Sequence, residues 1–148
     1  MRKGPAMLEN HFWDNFRKWI PHPQVNELYD VTASGITDDG GFTVLLHPDH
    51  SQETKHVKLG LRLTWDRIIS YTVTDESYRP ELWGSGEESN EKPWNFYISE
   101  TSDHLTTFRK ENYLVSENAH HFLIAGYNLI LDILSDEVPT VEFVELVS

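Results

Sequence analysis

Val57-Lys58-Leu59-Gly60-Leu61-Arg62-Leu63-Thr64-Trp65 decides the fold. Val57, Leu59, Leu61, Leu63 and Trp65 alternate with Lys58, Gly60, Arg62 and Thr64. Side chains in a strand point to opposite faces in turn, so a period of two sorts these residues into an apolar face and a polar one. This is an antiparallel strand with one face buried and the other solvated. Leu61 and Leu63 are core positions, and Arg62 faces water.

The same period extends outward on both sides. Upstream, Leu28 to Thr37 reads as a strand, Asp38-Asp39-Gly40-Gly41 as a hairpin turn, and Phe42, Val44 and Leu46 as one face of the return strand. His47 to Glu53 is a polar loop. Downstream, Ile68 to Thr74 is a further strand, and residues 75–93 form a long loop marked by Pro80, Gly84, Gly86 and Pro93. Trp94 to Ser99 is a short strand, and Ser102 caps a short helix with Leu105 and Phe108 as apolar contacts. His121–Ala125 and Leu129–Leu134 are apolar runs separated by Gly126-Tyr127-Asn128. They form either one buried helix or two strands; the turn formers and the shortness of each run favour strands. Val141, Phe143 and Val144 to Val147 form a last strand at a sheet edge.

At the other end, residues 7–20 carry Leu8, Phe12, Phe16, Trp19 and Ile20 at helical spacing, and Pro21-His22-Pro23 stops the pattern. The expected architecture is α+β. It is a single domain over residues 1–148, with an N-terminal helix, a bent, mostly antiparallel sheet or partial barrel of six to eight strands, and one short additional helix. Residues 1–6 read as a leader, with Met7 as an alternative start.

Composition narrows the function classes. There are 24 acidic residues against 12 Lys and Arg, a net charge of −12. Nucleic-acid binding draws most of its affinity from phosphate contacts and needs a basic face, so the balance argues against nucleic acid and against anionic membranes. Five Trp, six Tyr and seven Phe exceed what a disordered acidic chain carries. With no cysteine there is no disulfide, thiolate nucleophile or Cys-based metal site. No apolar run reaches the roughly 20 residues of a membrane span, and the N-terminus is no secretory signal, so the expected location is cytoplasmic.

Chemical motifs are sparse. His47-x-x-His50 with His56 nearby is the densest histidine cluster, but Pro48 denies it a helix and the spacing is unspecific for zinc. Solvated loop histidines are the plainer reading, and no cofactor is implied. His120-His121 opens an apolar strand, so the two rings point to opposite faces, one hydrogen-bonded at the core margin and one exposed. Gly84-Ser85-Gly86 is not a nucleophile elbow. Among 24 carboxylates, only geometry would single out an acid–base pair.

Several segments in order resemble a known group. They are Leu61-x-Leu63, Ile69-Ser70-Tyr71, Thr74-Asp75-Glu76-Ser77, Leu82-Trp83, Trp94, Ser102-x-x-Leu105-x-x-Phe108, His121-Phe122-x-Ile124 and Asp132-Ile133-Leu134-Ser135. The order is similar to that of small uncharacterised bacterial proteins of the immunity-protein type, from polymorphic or contact-dependent toxin systems. The likeness spans about residues 57–135 and implies no catalytic residues.

Two functions follow as expectations. The first is an acidic protein that binds a protein partner with a basic surface, such as a toxin. Asp75 to Asp103 holds eight acidic and two basic residues, and opposed fields steer association. Its contact residues would be Asp75, Glu76, Glu81, Trp83, Glu87, Glu88 and Glu91. The second is a small-molecule-binding domain or metal-independent enzyme with a pocket walled by Trp65, Trp83 and Trp94. A deep pocket holding a buried carboxylate next to a histidine would speak for the second, and a flat or convex acidic face with no such pocket for the first. Pairing of two copies along the C-terminal edge strand is a further expectation.

Overall fold

The structure is a computed structural model and describes residues 12–25, 31–48, 58–82, 94–126 and 128–146. Among these residues the chain forms nine strands: β1 (Arg17–Lys18), β2 (Val31–Asp38), β3 (Phe42–Pro48), β4 (Lys58–Trp65), β5 (Ser70–Asp75), β6 (Phe96–Ser99), β7 (His120–Ala125), β8 (Leu129–Ser135) and β9 (Thr140–Leu146). One α-helix, α1 (Asp103–Glu111), lies between β6 and β7, and 3-10 turns cover Phe12–Asn15, Glu76–Tyr78 and Pro80–Leu82. The strands form two sheets, ordered β2-β3-β4-β9 and β1-β6-β7-β8-β5, with every neighbouring pair antiparallel.

The two sheets face each other. Phe42, Val44, Leu46, Leu61, Leu63 and Trp65 of the four-stranded sheet share one core with Phe96, Ile98, Phe122, Ile124, Leu131 and Ile133 of the five-stranded sheet. The single bent sheet of the sequence reading is therefore two sheets. The register of β4 is as read: Leu61, Leu63 and Trp65 are buried, and Arg62 is exposed. Arg62 sits opposite Glu142 of β9 and donates to its carboxylate from Nη2 at 2.7 Å.

The turn residues act as their chemistry requires. Gly40 (φ +74°) and Gly41 (φ +133°) adopt positive φ in the β2–β3 turn, which L side chains seldom accept. His121–Ala125 and Leu129–Leu134 lie in two strands, not one helix. At their turn, a Cβ on Gly126 would come within 2.9 Å of the Leu129 carbonyl oxygen and 3.1 Å of that of Val31, so backbone from both sheets closes on it. Beside it, Asn128 Oδ1 accepts from the Ala33 N–H at 3.3 Å, tying this turn to β2.

The expected N-terminal helix is not formed over the described residues. Residues 12–20 make a 3-10 turn and the two-residue strand β1; residues 7–11 lie outside the described part. A lone helix of this length gains little from its own hydrogen bonds. Here the edge of β6 offers backbone partners instead: Arg17 and Lys18 pair with Ile98 and Tyr97, and the Trp19 N–H donates to Phe96. The tight turn still brings Phe12 and Phe16 together, their rings stacked 5.1 Å apart. Together with Trp13 they pack on Leu82, Leu123, Ala125 and Ile130. Thus the outer face of the five-stranded sheet is also covered.

Candidate functional site

The polar centre of the molecule lies on that outer face. His121 and Asp132 sit on β7 and β8, diagonal to each other in the register, so both point away from the sandwich interior. Ser102 precedes α1 as its N-cap, and its Oγ accepts from the Leu105 N–H at 3.1 Å. The same Oγ lies 2.7 Å from His121 Nδ1, while His121 Nε2 lies 2.7 Å from Asp132 Oδ1. Arg79, between two 3-10 turns, donates to Asp132 Oδ2 at 2.6 Å and to Glu81 at 2.5 Å. Ser102, His121 and Asp132 are 2%, 1% and 4% exposed.

The electrostatics favour an ionised Asp132. Burial pushes the Asp132 carboxyl upward, but the hydrogen bond and charge of His121 and then those of Arg79 outweigh it, leaving the pKa below the ordinary carboxylate value. An ionised Asp132 only accepts, so His121 Nε2 carries a proton and donates. Nδ1 and the Ser102 hydroxyl share the other hydrogen bond: a neutral ring accepts there, and an imidazolium donates. Arg79 is raised: burial opposes its charge, and Asp132 and Glu81 more than compensate.

A cavity of about 160 Å³ adjoins this chain of groups. Phe12, Asn15 and Phe16 line it from the N-terminal turn, Thr72 from β5, and Asp103 and His104 from the first turn of α1, with Ser102, His121, Asp132 and Arg79 completing it. The His104 ring lies 5.1 Å from that of His121. Burial first, and His121 second, lower the His104 pKa, and Asp132 pulls it the other way. The cavity is smaller than the roughly 300–1,000 Å³ of pockets for drug-sized ligands. It does hold a buried carboxylate beside a histidine.

Of the described residues read from sequence, Glu81 joins this chain of groups through Arg79, and the others fall elsewhere. Asp75 ends β5, exposed, and accepts from the Ser77 N–H and hydroxyl at 2.9 and 2.7 Å, which holds its pKa low. Glu76 is half-buried, and Glu81 is engaged by Arg79. Residues 75–82 are therefore a strand end and two seated turns, not open loop, and Leu82 is buried. Trp83, Glu87, Glu88 and Glu91 lie outside the described residues, as do His50 and His56. His47 is part of β3, opposite Thr32. Among the described residues no group of three or more His, Asp or Glu is placed to hold a metal. Trp65 lies in the sandwich core, and the half-buried Trp94 packs against that core and donates to the Trp19 carbonyl; neither lines the cavity.

His120 and His121 do point to opposite faces, His120 lying 3.3 Å from Glu100. What the sequence reading missed is the union of Ser102, His121 and Asp132. One signal was present: a charged residue inside the apolar run Leu129–Leu134 is rarely buried without a partner.

The chain matches no family model, no curated protein and no solved structure. Among the described residues no helix is long and apolar enough to cross a membrane.

Proposed function

We propose that this chain binds a protein partner presenting a basic surface, as an immunity-type inhibitor of a toxin would. One observation carries the reading: acidic and aromatic side chains stand together on a fixed edge. Among the described residues, strand β5 is the outer strand of its sheet, and Tyr71 and Val73 on it are 50% and 40% exposed, with Tyr78 76% exposed just beyond. Asp75 and Glu76 lie between them. Exposed tyrosines are favoured interface anchors, and carboxylates around them select basic partners. The segment is also pre-organised, because Arg79 is tied to Asp132 and Leu82 is buried beneath it, which lowers the ordering cost of binding.

The C-terminal edge gives less support for self-association. Among the described residues, strand β9 is the outer strand of its sheet, but Glu142 and Glu145 on it would meet like charges in a second copy. The test of the proposal is affinity capture from the chain's own organism, comparing wild type with Tyr78→Ala and with Asp75→Asn at low and high salt. A protein retained by wild type at low salt, released by salt and lost from Tyr78→Ala supports the reading. Equal recovery with all three chains removes this edge from the interface.

A further inference from the structure

We infer that the cavity beside Ser102 is an acyl-transfer site for short, uncharged esters, with Ser102 as the nucleophile and His121 as its base. The inference is independent of the partner-binding proposal, which concerns the β5 edge.

Helix capping alone does not account for this arrangement. An N-cap needs only the Ser102 oxygen and the Leu105 N–H. Here the hydroxyl is also held at 2.7 Å by an imidazole, the imidazole at 2.7 Å by a buried carboxylate, and the carboxylate at 2.6 Å by a guanidinium. Burying such charges is expensive, and well-packed apolar residues often serve stability as well or better. A nucleophile, a base within hydrogen-bond reach and a third group orienting the base are what acyl transfer requires.

The surroundings supply the rest. Ser102 lies at the start of a nine-residue helix, where the N–H groups of Asp103 and His104 have no acceptor within the helix and the dipole favours negative charge. These are donors for the oxyanion of a tetrahedral intermediate. The cavity reaches Ser102 and is walled by Phe12 and Phe16, with room for a short acyl group. Asp103 and Asp132 at its margin disfavour anionic acyl groups.

The step balances. Ser102 Oγ bonds to the ester carbonyl carbon as its proton passes to His121 Nδ1, and the carbonyl π pair moves to oxygen. The resulting imidazolium is stabilised through Nε2–H by Asp132. Collapse of the intermediate breaks the carbon–alkoxy bond, and the leaving alkoxide takes the proton from Nδ1. Water then adds to the acyl-serine, giving its proton to Nδ1, and the acid departs as Ser102 regains its hydrogen.

The test uses an alkyl fluorophosphonate, which phosphonylates a nucleophilic serine with loss of fluoride, and 4-nitrophenyl acetate as substrate. The expected result is one adduct, mapped to Ser102 by peptide mass, and ester turnover. Both should be lost in Ser102→Gly, which keeps most of the N-cap's worth, and reduced about a hundredfold or more in His121→Gln. Thermal unfolding of each variant confirms that it is folded. A folded wild type with no adduct on Ser102, an adduct elsewhere, or turnover that survives in Ser102→Gly would overturn the inference and leave the chain of groups as a fastening for α1.

Discussion

The two sheets differ in what covers them. The four-stranded sheet buries one face: along β4, Leu61, Leu63 and Trp65 are buried while Arg62 is exposed. The five-stranded sheet is covered on both faces in its centre, and β7 is buried from His121 to Ala125 and β8 from Ile130 to Ser135. The difference is written in the chain as alternation in one case and, in the other, near-continuous apolar runs interrupted by Asp132. It also decides where chemistry can sit. A solvated face holds ion pairs that water screens, such as Arg62–Glu142, whereas a covered outer face holds His121–Asp132–Arg79 away from water, where each charge depends on its neighbour.

That contrast can be broken most directly at Asp132. Replacing it with Ala leaves the Arg79 charge and His121 without their buried counterpart and should cost about 3–5 kcal/mol in urea unfolding. A loss below about 1 kcal/mol would mean that water reaches the outer face and screens these charges. On the inner face, Leu63→Ala should cost about 2–5 kcal/mol by the same measurement, as an ordinary core truncation. If Leu63→Ala proved harmless while Arg62→Ala did not, the register of β4 would be shifted by one residue.

Acidity separates the sheets in another way. Asp132 has a folded-state pKa below its unfolded value, so its stabilisation is present above about pH 3.9 and is lost as pH falls through the lower, folded value. His104, also lowered, favours the folded state above its ordinary titration range and weakens it on acidification in the same direction. Urea midpoints measured down the acid limb should therefore fall more steeply for wild type than for Asp132→Asn; parallel curves would rule out Asp132 as a source of the acid limb. The smaller effects belong to lone polar side chains. Ser102→Ala should cost about 1–3 kcal/mol, because it removes the N-cap and leaves the buried His121 Nδ1 without its partner, and Arg62→Ala about 0–1 kcal/mol as the loss of a half-exposed ion pair.

Much of this organisation was legible in the chain, for local reasons. Strict alternation around Leu61 and Leu63 fixed the facing of β4, and Gly126 and Asn128 divided two apolar runs that length alone left ambiguous. Ser102 was readable as a cap because its partner, Leu105, is three residues away. The rest depends on distant pairings. Nothing near Ser70–Asp75 says that it pairs with Leu129–Leu134, and nothing near Phe12 says that the edge of β6 will take up its backbone in place of a helix. The site was hidden for the same reason. Arg79, Ser102, His121 and Asp132 come from four separate elements, and each has an ordinary explanation alone. Only the solitary Asp132 within an apolar run was out of place.

Trp65 has one further consequence. Its side chain is fully buried, with Phe122 and Phe42 as ring neighbours at 5.4 and 6.1 Å, and its Nε1–H has no hydrogen-bond partner among the described residues. An indole in such a place makes a built-in optical reporter. Its emission should lie toward the blue while the sheets are closed and move to the red once water reaches the ring. Because the N–H has no acceptor to lose, Trp65→Phe would remove that signal without breaking a hydrogen bond, and the fluorescence that disappears would belong to the interface between the two sheets.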